Sequence, residues 1–198
     1  MTERTSYIVV DIETDGPEPG VHAMRNLSAV ATDADGVETS AFSRNLAPPN
    51  GTTPDPDTLS WWQTQQADIW ARINFDPVPP AQGMAAFADF VRAAEGRRLF
   101  VGHPLAFDGH WVGHYMERTL GQGLMPFHGT RSPLFFGAGI DLPSFVSGAL
   151  NIDYALCRHG RYPPEVASDL PHTHHGLDDA RGHADVLRKT LRILGQRA

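Results

Sequence analysis

Tyr7-Ile8-Val9-Val10-Asp11-Ile12-Glu13 is the stretch that decides how this chain folds. Tyr7 to Ile12 reads as a buried strand, an apolar run rich in β-branched residues. The run carries two carboxylates, Asp11 and Glu13, two positions apart. Side chains at that spacing on a strand point to the same face. Like charges on one face repel unless a cation sits between them, so a metal ion is the expected neighbour. The plainer alternative is a strand end that runs into solvent through the turn Thr14-Asp15-Gly16.

Working outward, Leu27 to Thr32 reads as a second strand, Ala34-Asp35-Gly36 as a turn, and Val37 to Phe42 as a third strand. Pro48-Pro49-Asn50-Gly51 breaks this meander. Asp57 is the expected N-cap of a short helix carrying Trp61 and Trp62. Gln82 to Ala94 has the helical spacing Met84, Phe87, Ala88, Val91, and Gly96 is expected to end it. Leu99 to Val101 is a short strand, Phe107 to Leu120 a helix, and Gly139 to Leu142 a short strand ahead of another helix. Ala180, Ala184, Leu187, Leu191 and Leu194 form the apolar stripe of a last helix. Asn151 to His174, with paired Pro163 and Pro164, is a loop long enough to expect function or mobility there. Strands first, then helices alternating with strands, predict an α/β fold: a mixed β-sheet with helices on both faces. The length predicts a single domain over residues 1–198.

A chain that is 41% apolar and 20% charged is not expected to be disordered. No segment has the apolar length of a membrane span, and Met1 to Arg25 has no long apolar stretch behind basic residues. The single cysteine, Cys157, excludes an intramolecular disulfide and a cysteine-based zinc cluster, so a reduced, cytoplasmic setting is expected. A net charge of −7 argues against a basic face that coats nucleic acid. It leaves room for a nuclease, whose bound cations become the local positive charge. Arg181, Arg188, Lys189, Arg192 and Arg197 cluster near the C-terminus and are read as a solvated helix face rather than a phosphate track.

Two more acidic segments complete a constellation with Asp11 and Glu13. Asp108 ends Val101-Gly102-His103-Pro104-Leu105-Ala106-Phe107-Asp108, where it also suits a helix N-terminus. Asp179 lies five residues after His174 in His174-His175-Gly176-Leu177-Asp178-Asp179. Four carboxylates and a histidine are the parts for cutting a phosphodiester with two divalent metals. In this order and spacing they resemble the motifs of the DEDDh-type 3′–5′ exonucleases, the DnaQ-like branch of the ribonuclease H-like fold. Thr58-Leu59-Ser60-Trp61-Trp62-Gln63, with Ala67 and Ile73, resembles a segment of the phage exonuclease A and mycobacterial exoribonuclease AS group.

The resemblance implies a ribonuclease H-like sheet and a 3′–5′ exonuclease that releases nucleoside 5′-monophosphates from single-stranded nucleic acid with a free 3′ end. It assigns Asp11, Glu13, Asp108 and Asp179 to two Mg²⁺ or Mn²⁺ ions, with Asp11 bridging, Glu13 and Asp179 on the water side and Asp108 on the other. It selects His174 over His175 as the group that takes the proton from the attacking water, and Asp179 over Asp178 as the ligand. Substrate contacts are expected from Thr14, Gly16, Met24, Trp61, His103 and Phe107. Met24 would wedge against the terminal base or pack the core, and Trp61 would stack a base, whereas Trp62 equally suits helix packing. One departure stands out: the family often has His-Asn before the second aspartate, and this chain has His103-Pro104, whose proline cannot donate a hydrogen bond. RNA is slightly favoured over DNA; the resemblance allows a homodimer, since relatives are often dimers, but no stretch of the sequence encodes an interface.

Two rivals remain. His110 and His114, four apart on a predicted helix, have a zinc-compatible spacing, but His110-Trp111-Val112-Gly113-His114 lacks the glutamate of a zinc-protease motif. A proofreading or docking subunit of the same fold is the other rival. A catalytically silent version is disfavoured, because all four acids and the histidine are present.

Overall fold

The computed structural model describes residues 4–130 and 132–197, without the side chain of Arg197. Its centre is a five-stranded mixed sheet in the order β3-β2-β1-β4-β5. The strands are β1 (Thr5–Thr14), β2 (Met24–Thr32), β3 (Glu38–Asn45), β4 (Arg97–Gly102) and β5 (Ile140–Asp141). The first three form the predicted antiparallel meander, while β4 pairs parallel with β1 and β5 parallel with β4. The helices are α1 (Pro56–Gln65), α2 (Ala67–Ile73), α3 (Pro80–Ala93), α4 (Leu105–Leu120), α5 (Leu142–Leu150) and α6 (Gly176–Arg197).

The alternation of β1 sorts the interior into two cores. Ile8, Val10 and Ile12 face one way, against Met84, Phe87 and Val91 of α3 and Trp111, Val112 and Tyr115 of α4. Val9 faces the other way, with Leu142 and Val146 of α5 and Ala180, Ala184 and Leu187 of α6. Helices therefore cover both faces, as expected, and the parity that buries Val9 under α6 also turns Asp11 and Glu13 toward that helix.

Several local expectations change. The cap of α1 is Asp55, whose carboxylate accepts from the Thr58 N–H at 2.8 Å, and Pro56 opens the helix. Asp57 lies inside the first turn, because the fixed φ of Pro56 suits the first helical position. The helix α3 stops at Ala93, where Ala94 turns extended ahead of Gly96. The helix α2 was not expected. It is short, and only Ile73 is fully buried, while Trp70 stacks on Trp62 with ring centroids 5.5 Å apart. Three basic residues of α6 are engaged in pairs: Arg181 with Glu38, Arg188 with Asp185, and Lys189 with Asp169 and Asp185. Among the described residues no helix is long and apolar enough to cross a membrane.

Candidate metal centre

The end of β1 is where the two cores part. In the antiparallel register Asp11 lies opposite Ser28 and Glu13 opposite Asn26, so polar side chains replace the apolar layer on the α6 side. Asn26 and Ser28 are buried and bonded to each other, with Ser28 Oγ donating to Asn26 Oδ1 at 2.7 Å. The helix α6 starts directly above them. A Cβ on Gly176 would stand 2.6 Å from Asn26 Oδ1, so only glycine lets the first turn approach this closely.

That approach delivers Asp179. Carboxylate oxygens of Asp11, Glu13 and Asp179 lie within 4.8 Å of one another. Asp179 is held from behind: Oδ1 accepts from the Thr173 N–H at 2.9 Å and Oδ2 from the His174 N–H at 3.0 Å. Asp178 turns away, accepting from Thr173 Oγ1 at 3.1 Å. Asp108, in the first turn of α4, accepts from the His103 N–H at 2.7 Å. Gly102 makes room for it, since a Cβ there would meet Asp108 Oδ2 at 3.0 Å and the Leu105 backbone at 2.8 Å.

The electrostatics follow from crowding. Burial, then the charges of Glu13, Asp108 and Asp179, hold the Asp11 carboxyl well above the usual carboxylate range. Burial, then Asp179 and Asp108, does the same to Glu13. Burial pushes Asp108 up to about 7 against the lowering hydrogen bond from His103. A set of buried carboxylates that resist ionising together is a site built for a cation. An all-oxygen donor set fits a hard divalent ion.

His174 sits at the rim. Its backbone lies in the left-handed region, φ +58°, where a non-glycine residue stores strain. Its ring meets the edge of Trp61 at 5.0 Å and the ring of His172 at 4.3 Å. Burial, then His172, keeps its imidazole below its ordinary pKa. His175 instead points its Nδ1 at Asp178, 3.6 Å away.

The expected substrate contacts divide. Trp61 is exposed beside His174, and Phe107 and His103 are half-buried around α4. Thr14 and Gly16 are buried: Thr14 Oγ1 donates to the Gly16 carbonyl at 2.8 Å, and the Thr14 carbonyl accepts from Trp62 Nε1 at 2.9 Å. Trp62 is thus a packing residue. Met24 is fully buried in the core under α4, where its N–H donates to the Tyr115 hydroxyl at 2.8 Å. The wedge reading of Met24 is corrected accordingly, since it offers no surface to a base. His110 and His114 join no group of three potential metal ligands among the described residues.

Sequence reasoning missed a ring of histidines. His183, one turn after Asp179 on α6, is buried, stacks on His103 at 4.3 Å and places Nδ1 3.6 Å from Asp11 Oδ1. The i,i+4 spacing from Asp179 was the available signal. His172 Nδ1 stands 2.9 Å from Asp179 Oδ2, and His159 packs on His172 at 4.1 Å. Tyr162 shares a 2.9 Å hydrogen bond with His103 Nε2. These three lie in the irregular segment before α6, where no periodicity marks them.

Comparison with known proteins places the same chain. The family described as the 3′-5′ exoribonuclease Rv2179c-like domain matches residues 6–191. The 3′-5′ DNA exonuclease Cap18 of Escherichia coli is 22% identical over 191 residues, which cover 94% of this chain and 92% of that protein. Among solved structures, the nuclease domain of 3′hExo, a DEDDh family member bound to rAMP, is similar with a TM-score of 0.69 at 13% identity, covering 94% of this chain and 92% of that one. The zinc-bound E. coli ExoI–ssDNA complex gives 0.64 at 14% identity, over 96% of this chain and 40% of that chain. At such identities the structures speak for the shared fold alone, a ribonuclease H-like mixed sheet.

Proposed function

We propose a reaction and a substrate for this chain, which belongs to the family of the 3′-5′ exoribonuclease Rv2179c-like domain. It is a 3′–5′ exonuclease. Its substrate is single-stranded nucleic acid with a free 3′ end, RNA in preference to DNA, and its product a nucleoside 5′-monophosphate.

The observation that carries this reading is the meeting of Asp11, Glu13 and Asp179 within 4.8 Å beneath the half-exposed His174. Asp11, Glu13, Asp108 and Asp179 would hold two divalent ions, Mg²⁺ or Mn²⁺. When bound, such ions supply a water nucleophile at neutral pH and stabilise charge on the leaving oxygen. Asp11 would serve both ions, Glu13 and Asp179 would hold the water-side ion, and Asp108 would hold the ion on the leaving-group side. His174, kept as the free base by burial, accepts the water proton at a ring nitrogen as the water oxygen attacks phosphorus. The bond from phosphorus to the 3′ oxygen of the preceding nucleotide breaks, that oxygen takes a proton from solvent to become the new 3′-hydroxyl, and the phosphate leaves on the 5′ side of the released residue. Trp61 offers a stacking surface for a terminal base, worth about 1–3 kcal/mol.

The family's description favours RNA, while the DNA-directed relative keeps single-stranded DNA as the alternative. The test is hydrolysis of matched RNA and DNA oligonucleotides, labelled at the 5′ end, in Mn²⁺, beside the Asp11→Ala and Asp179→Ala proteins. A ladder shortening from the 3′ end, absent in both variants, is the expected result, and the RNA-to-DNA rate ratio names the substrate. Wild-type rates in either variant refute the site.

A further inference from the structure

The carboxylate centre has a neighbour of different chemistry. His172, His174 and Asp179 each offer a ligand atom, and these atoms lie within 4.8 Å of one another. His172 is exposed, His174 half-buried and Asp179 buried, so the group opens toward solvent from one side. The donor set is two imidazole nitrogens and one carboxylate oxygen, in contrast to the all-oxygen set of Asp11, Glu13 and Asp179.

We propose that His172, His174 and Asp179 form a second metal site, for Zn²⁺ and sharing Asp179 with the carboxylate centre, that switches the enzyme off. Two imidazoles and a carboxylate, with water as fourth ligand, are an ordinary tetrahedral zinc set and a poor one for Mg²⁺. The arrangement is close to assembled: His172 Nδ1 is already 2.9 Å from Asp179 Oδ2, the His172 and His174 rings are 4.3 Å apart, and two backbone N–H groups fix the Asp179 carboxylate. Zinc here occupies the lone pair of the His174 ring nitrogen, which then has nothing with which to accept a proton. Inhibition therefore follows even if the oxygen-bound ions stay in place. The inhibitory part rests on the proposed roles of His174 and Asp179, whereas the zinc site itself rests on geometry alone.

The test separates the two. Zn²⁺ affinity is measured on metal-free protein by competition with a chromophoric chelator, for wild type, Asp11→Ala and His172→Ala. Asp11→Ala is expected to bind one Zn²⁺ as tightly as wild type, and His172→Ala about tenfold or more weakly. In hydrolysis assays at saturating Mn²⁺, added Zn²⁺ is expected to inhibit wild type, with the midpoint for His172→Ala about tenfold or more higher, each relative to its own zinc-free rate. Zinc affinity that falls in Asp11→Ala but not in His172→Ala puts the ion among the carboxylates and overturns the site, as does affinity unchanged in both. Zinc binding that follows His172 without inhibiting hydrolysis overturns the switch and points to a failed assignment of His174, not of the zinc site.

Discussion

Gly176 at the start of α6 stands against Asn26 of β2 so closely that a methyl group there would come within 2.6 Å of the Asn26 amide oxygen. The amide cannot swing aside, because its oxygen accepts from Ser28 and its nitrogen donates to Asn45 Oδ1 at 2.8 Å. Gly176→Ala must therefore lift the first turn of α6, which carries Asp179. We expect a stability loss of about 1–3 kcal/mol, typical of overpacking. We also expect a fall of roughly 100-fold in turnover, the scale of small displacements of a reacting group. Denaturant unfolding and Mn²⁺-dependent hydrolysis check the pair, and wild-type turnover would show that Asp179 does not depend on this contact.

Removing one charge of the proposed metal centre should stabilise the metal-free protein. Asp11 is held well above the usual carboxylate range by burial and by three neighbouring acids. A carboxyl raised in the folded state costs stability at high pH. The cost vanishes below the unfolded pKa, about 4, where both states are protonated. Asp11→Asn is therefore expected to raise the metal-free melting temperature at pH 8, by about 2–4 °C per kcal/mol relieved. The gain should shrink as the pH falls toward about 4. The comparison of variants matters here. Burial lowers His103, His174 and His183, and these titrate with the opposite sign between acid and neutral pH. Saturating Mn²⁺ should reverse the order of the two proteins. Calorimetry in chelator and in Mn²⁺, at both ends of the pH range, reads all of this.

How much of this was legible follows from which signals are local. The alternation in β1 fixes both the layer order and the face of Asp11 and Glu13, because the pairing with β2 stays regular through Glu13 and shifts only between Glu13 and Thr14. The choice of His174 and Asp179 over their neighbours came from the resemblance to the family's third motif, not from a local signal. The cap of α1 was misplaced by two residues because Pro56, not Asp57, marks the first turn. Met24 was open between two roles in sequence because burial depends on α4, which lies far along the chain. His172 and His159 had no signal at all. An irregular segment brings them together, and Lys189 ties it down, donating to the Ala167 carbonyl at 2.5 Å.

His174→Asn is the sharpest probe of the proposed base. Asparagine tolerates the left-handed backbone that His174 adopts, so the fold around Asp179 should persist. Loss of a general base typically costs about 10²–10⁴ in rate. We expect turnover to drop in that range while Mn²⁺ binding, measured by titration calorimetry, stays near wild type. A parallel loss of Mn²⁺ affinity would recast His174 as a ligand of the hard-metal centre.

Trp61 and Trp62, adjacent in α1 with rings 4.9 Å apart, should fail in different ways. Trp62 is buried and its Nε1–H satisfies the Thr14 carbonyl at the end of β1. Trp62→Phe leaves that carbonyl without its donor, a loss of about 1–3 kcal/mol. It should lower the melting temperature, with activity following stability. Trp61 is exposed and touches His174 edge-on. Trp61→Ala should leave the melting temperature almost unchanged and raise KM for single strands by roughly 5–150-fold, the equivalent of one lost stacking contact. Melting curves and steady-state kinetics on the two variants separate the roles. An unchanged KM in Trp61→Ala would remove the base-stacking assignment and leave Trp61 as a wall that orients the His174 ring.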